Sequence, residues 1–136
     1  MKSLVPNLAV KNIKDTVSYY EKNFNFKLQM AVDISKDGFD NEIKDSKEYI
    51  WAMVSNGGVS LMFQSEDSIK DDIGSFYPNI GASLSLYIDV ENLEELYSKL
   101  KDEVEIYKSI NTTWYGQKEF YVKDINGYIL AFSSKS

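Results

Sequence analysis

An α+β fold made of a duplicated βαβββ module is predicted for this 136-residue chain by three observations. The length suits one domain and is too short for two ordinary ones, so an internal repeat must form two halves of one fold. Apolar periodicity and helix-capping signals run in the order βαβββ, a linker, then βαβββ. The halves also match at both ends. Val5-x-x-Leu8-x-Val10-x-Asn12-Ile13 corresponds to Ser85-x-x-Ile88-x-Val90-x-Asn92-Leu93, an offset of 80 residues from Leu8 to Ile88. Residues 58–63 correspond to 127–132, an offset of 69 from Phe63 to Phe132, with an Asn-Gly turn before each.

The elements follow in order. Residues 4–10 read as a strand, and Asn12 caps a helix to about residue 23 with Ile13, Val17 and Tyr20 at helical spacing. Residues 26–34 alternate as a strand, and the polar stretch 35–46 reads as an exposed loop. Two strands, 48–54 and 58–64, flank Ser55-Asn56-Gly57, a hairpin whose Asn-Gly pair supplies positive φ angles. Residues 65–81 read as an acidic linker containing Tyr77-Pro78, with one helical turn near 68–73. In the second half, 83–90 is a strand and Asn92 caps a helix carrying Leu93, Leu96, Tyr97 and Leu100. Residues 104–108 form a short strand, and 117–123 and 128–133 pair around Asp124-Ile125-Asn126-Gly127. The modules are thus 1–64 and 82–136, joined by 65–81.

Composition narrows the chemistry. At 43% hydrophobic and 14% aromatic residues the chain has ample material for a core, unlike a disordered polymer. Fifteen lysines, no arginine and 21 acidic residues give a net charge of −6, which opposes binding to phosphate backbones and argues against a nucleic-acid partner. No Cys and no His are present, so disulfides, thiolate nucleophiles, serine triads and His- or Cys-ligated metals are excluded. Residues 1–7 hold no apolar stretch of signal-peptide kind, and no window approaches the ~20 apolar residues of a membrane span. A cytoplasmic protein with no membrane partner is the expectation.

The segment Trp114-Tyr115-Gly116-Gln117-Lys118-Glu119-Phe120-Tyr121-Val122-Lys123-Asp124-Ile125-Asn126-Gly127-Tyr128 carries a family resemblance. It resembles the Trp-Gly-x-x-Glu-Phe stretch and Asp-Pro-(Asp/Asn)-Gly turn of the vicinal oxygen chelate superfamily, which includes glyoxalase I, extradiol dioxygenases and the fosfomycin- and bleomycin-resistance proteins. Here a Tyr is inserted after the Trp, and Ile125 stands in place of Pro. The resemblance covers nearly the whole chain. It implies two βαβββ modules curved into a half-open eight-stranded barrel, helices outside and the site on the concave face. Strand parity is compatible: Leu8, Val10, Leu61, Phe63, Leu86, Ile88, Val90, Leu130 and Phe132 share the helix side. Asn7, Ala9, Ser60, Met62, Gln64, Ser83, Ser85, Tyr87, Asp89, Ala131 and Ser133 share a small, polar opposite side, as a wet cleft would.

Metal-dependent members place a His or Glu on each of four central strands; the matching positions here are Val5, Met62, Ser85 and Ala131, so neither metal nor other cofactor is expected. The resemblance then implies a binding site made of Trp114, Glu119, Tyr121, Trp51, Tyr87, Asp89, Ser60 and Ser85, with Tyr49 and Met53 nearby. Rings would stack on a flat ligand while the acids match its positive charge. Glu119 and Tyr121 line the site under one strand parity, whereas Lys118 and Phe120 do under the other. Acid clusters at 37–45 and 66–72 read as solvated. Two functions follow: a bleomycin-resistance-type protein sequestering a planar, cationic small molecule, or a metal-independent isomerase or lyase using a cleft carboxylate or tyrosine. A homodimer is expected by the same resemblance.

Overall fold

Two asparagines start the helices that cover the sheets. In the computed structural model, which describes residues 2–74, 80 and 84–135, helix α1 (Ile13–Phe24) begins after Asn12. The Asn12 side chain accepts from the Asp15 N–H at 2.9 Å, and the helix ends at Asn25, whose left-handed φ of 55° closes it. Ile13, Val17, Tyr20 and Phe24 are buried along one stripe. Tyr20 packs its ring against Phe24, Phe26 and Phe63 at centroid distances of 5.0–5.6 Å. Helix α2 (Glu66–Ile73) occupies a stretch expected to be a linker with a single turn. It forms because Ile69 is buried and because Ser68 and Asp72, one turn apart, both accept from the Gln64 amide, at 2.9 and 2.7 Å. Helix α3 (Leu93–Leu100) begins after Asn92, which accepts from the Glu95 N–H and donates to the Glu95 carboxylate.

The chain divides into two units, Met1–Ile80 and Gly81–Ser136. In the first, β1 (Asn7–Val10), β2 (Lys27–Asp33), β3 (Tyr49–Asn56) and β4 (Val59–Ser65) form a sheet in the order β1-β4-β3-β2. In the second, β5 (Ser85–Asp89), β6 (Glu105–Thr112), β7 (Gln117–Lys123) and β8 (Ile129–Lys135) follow the order β5-β8-β7-β6. The α+β class and the βαβββ order of each module are as the sequence predicts. Register agrees as well. Leu8 pairs with Phe63 in parallel, and their repeat counterparts Ile88 and Phe132 pair identically. One slipped residue would reverse every side chain, so a shared register means a shared division into helix-facing and open faces.

Several boundaries differ from the sequence reading, most by one or two residues. Strand β1 starts at Asn7 rather than at residue 4. The first hairpin turns at Gly57-Gly58 rather than Asn56-Gly57, since Asn56 still pairs with Val59 and its side chain donates to the Phe24 carbonyl at 2.9 Å. Strand β6 runs four residues past Lys108 to Thr112, because irregular register lets its polar end keep pairing with β7. Tyr77-Pro78 of the linker and Ser83 of the fifth strand lie outside the described residues.

Candidate functional site

Strand β7 decides which face carries chemistry. Phe120 and Val122 are fully buried, the Phe120 ring lies 5.0 Å from that of Tyr97 on α3, and Lys118 bonds Glu94 on α3 at 2.6 Å. Glu119 and Tyr121 therefore point to the opposite, open face. Pairing extends that face into rows: Asp89, Ser133, Glu119 and Asn111 form one, and Tyr87, Ala131, Tyr121 and Lys108 the next.

Glu119 is 2% exposed. Burying a carboxylate costs several kcal/mol in order of magnitude unless donors replace water, and here three phenols do. The Tyr87 hydroxyl donates to Oε2 at 3.0 Å, the Tyr115 hydroxyl to both oxygens at 3.0 and 3.2 Å, and the Tyr121 hydroxyl to Oε1 at 3.3 Å. No ion pair among the described residues involves Glu119. Burial, reinforced by the Glu119 charge, raises the pKa of the Tyr115 and Tyr121 hydroxyls, so both stay protonated as donors. The Lys108 ammonium lies 5.4 Å from the centre of the Tyr121 ring.

Tyr115 arrives from the turn between β6 and β7. Gly116 takes φ +83° there, its N–H donates to the Thr113 carbonyl at 3.0 Å, and the Gln117 N–H donates to the Thr113 hydroxyl at 3.1 Å. The same turn leaves Trp114 95% exposed, its ring edge-on to Tyr115 at 5.2 Å. Tyr115 was not among the expected site residues. Its signal in the sequence is its position as the extra residue in Trp114-Tyr115-Gly116.

The expected site residues divide between the units. Tyr87, Asp89, Ser85, Trp114, Glu119 and Tyr121 lie in the second; Tyr87, Glu119 and Tyr121 join the network, while Ser85 and Asp89 are exposed on the same face. Trp51 and Ser60 lie in the first, half-buried on the face of its sheet opposite α1. That face is less wet than its polarity implies. Ala9 and Gln64 are buried, Gln64 being tied down by Asn7 at 2.7 Å and by α2. Tyr49 and, of the 37–45 acids, Asp40 take structural roles instead. The Tyr49 hydroxyl donates to Asp40 at 2.7 Å, and Lys47 joins the same carboxylate at 2.9 Å. The Tyr49 hydrogen bond, followed by that from Lys47, holds the Asp40 carboxyl down at about 2. With the backbone pairing of Asp40 to Ala31, this pins the 34–48 loop onto β2. A cleft of about 410 Å³ beside it mixes Lys11 and Lys36 with Glu48, Glu66, Asp67 and Asp71, and presents no single charge to a ligand.

A divalent ion does not fit the donor set. Val5, Met62, Ser85 and Ala131 provide no carboxylate, imidazole or thiolate, and among the described residues no three His, Cys, Asp or Glu side chains gather as a metal cage. Nor is any helix among the described residues long and apolar enough to cross a membrane.

Solved structures with this fold include TioX from Micromonospora sp. ML1, 14% identical with a TM-score of 0.70 and all of both chains covered. A glyoxalase-related enzyme from Fulvimarina pelagi is 14% identical with a TM-score of 0.71, over 99% of this chain and 89% of that one. A glyoxalase/bleomycin resistance protein/dioxygenase family enzyme from Burkholderia phytofirmans PsJN is 14% identical with a TM-score of 0.71, over 96% and 95%. No curated protein matches the chain. The family model for the Glyoxalase/Bleomycin resistance protein/Dioxygenase superfamily matches residues 3–132. With that match over nearly its full length, and the duplicated βαβββ register beneath it, the chain belongs to the glyoxalase/bleomycin resistance protein/dioxygenase superfamily.

Proposed function

We propose that the chain is a metal-independent binding protein that sequesters a planar, cationic small molecule against the open face of the second sheet. The observation that carries this reading is Glu119, a carboxylate 2% exposed whose partners are three neutral hydroxyls and no cation among the described residues. A charge held this way is dispersed over the phenols but not neutralised, so it attracts a cation placed above them. Exposed rings stand beside it: Tyr87 is 55% exposed, Tyr115 49% and Trp114 95%. Such rings stack on flat ligands and stabilise cations over their faces. Binding is favoured over proton transfer because a general base must reach the substrate proton itself, whereas Glu119 is screened by its tyrosines. The reading invokes no cofactor and no nucleic acid.

Pairing with a second copy completes the proposal, since aromatic surface and the sheet edges β5 and β6 favour association. Light scattering should give twice 15.6 kDa; a mass of 15.6 kDa across micromolar concentrations removes the dimer. The binding reading is tested by thermal shift with planar aromatic cations and with anions built on the same rings. Cations alone should raise the melting temperature. Equal shifts from both signs, or none from any cation, would overturn it.

A further inference from the structure

Resting on the binding reading above, we infer that the cluster selects cations bearing N–H donors, such as a primary ammonium or an amidinium, over quaternary ammonium groups. A carboxylate only accepts hydrogen bonds, and each phenol has one proton. Tyr115 and Tyr121 contact Glu119, and Tyr87, which also lies 3.3 Å from Oε1 of the Gln117 side chain, lies nearer the charged Glu119 at 3.0 Å. All three protons are therefore committed inward, and what the phenol oxygens offer to a visitor is lone pairs. A carboxylate behind each phenol makes its oxygen a stronger acceptor, as hydrogen bonds in a chain polarise one another.

Three acceptor oxygens, each within 3.3 Å of one carboxylate, form a compact group suited to a cation with several N–H donors. A trimethylammonium has the same charge but no donor, so its methyl groups would leave these oxygens without partners. The inserted Tyr115 contributes one oxygen of the three, so this chain's departure from the family's Trp-Gly pattern is tied to the selectivity.

The test is calorimetric titration of the full chain with 1-naphthylmethylammonium and with its N,N,N-trimethyl analogue, equal in ring and charge. The ammonium should bind about tenfold more tightly, the scale of a charge-assisted hydrogen bond. In Tyr115→Phe and, separately, Tyr87→Phe, that ratio should fall toward one, because the ammonium loses an acceptor that the trimethyl compound never used. Equal binding of the two probes by the wild-type chain, or a preference for the trimethyl compound, overturns the inference and leaves the cation-binding reading standing. Binding of neither overturns both. A preference for the ammonium that survives both substitutions places the acceptors elsewhere and also overturns it.

Discussion

The two sheets share a register, stay apolar on the helix-facing side and part in chemistry on the other. Leu8, Phe63 and Ala52 lie in one row facing α1, and their counterparts Ile88, Phe132 and Phe120 lie in one row facing α3. On the open faces the same register sets Asn7 opposite Met62 and Met53, but Tyr87 opposite Ala131 and Tyr121. It places Trp51 where the second sheet has Glu119. The loops differ likewise. In the first unit Tyr49 and Lys47 fix a loop through Asp40, whereas in the second Tyr115 fixes a turn through Glu119 and leaves exposed rings around it. A helix-facing row answers to packing volume, which tolerates little change in character. The open face answers to whatever it contacts, and there the second unit has gathered a buried acid and three phenols.

Truncating the helix-facing rows in both units should have the largest effect. Phe63→Ala and Phe132→Ala should each cost about 3–5 kcal/mol by chemical denaturation, while Tyr121→Phe on the open face should cost about 1 kcal/mol or less. A loss of several kcal/mol from Tyr121→Phe would make the phenols a structural core. Trp114→Ala comes next. It should weaken binding of a planar cation roughly three- to thirty-fold, a stack of ~0.5–2 kcal/mol, and leave the melting temperature in place because the side chain is 95% exposed. Unfolding would place that ring in an interface or core instead.

The smallest effect concerns the first unit's loop. The Asp40 carboxyl titrates near 2 when folded and near 3.8 when free, so its anchoring is fully present above about pH 4 and lost as pH falls through about 2. Carbon-detected titration should show Asp40 with that low midpoint, and Tyr49→Phe should raise it, since the Tyr49 hydrogen bond is its largest cause. An unchanged midpoint in Tyr49→Phe would assign the shift to Lys47.

Much of the fold was legible because duplication repeats its signals: Asn12 and Asn92 as caps, and parity that separates Leu8 and Ile88 from Asn7 and Tyr87. Less legible was anything set by side-chain partners distant in sequence. Asp40 read as one of several solvated acids, because its bonds to Lys47 and Tyr49 depend on how the loop folds back on β2. Helix α2 read as linker because the Gln64 contact that helps fix it lies on a strand. Glu119 was legible as a candidate. Tyr87 and Tyr121 were legible as site residues too, but not as its donors, and Tyr115 was missed, since Tyr87 and Tyr115 reach Glu119 from β5 and from a turn.

Glu119→Gln keeps the shape of the side chain and removes its charge, so it addresses the proposed recognition directly. Calorimetric titration of wild type and variant with 1-naphthylmethylammonium, at low salt and near 0.5 M, should give one saturable site in the wild type and binding weaker by about tenfold or more in the variant. The gap should narrow with salt as screening shortens the reach of the carboxylate. Identical affinities in the two proteins, or no saturable binding by the wild type at low salt, would contradict a cation held by this charge.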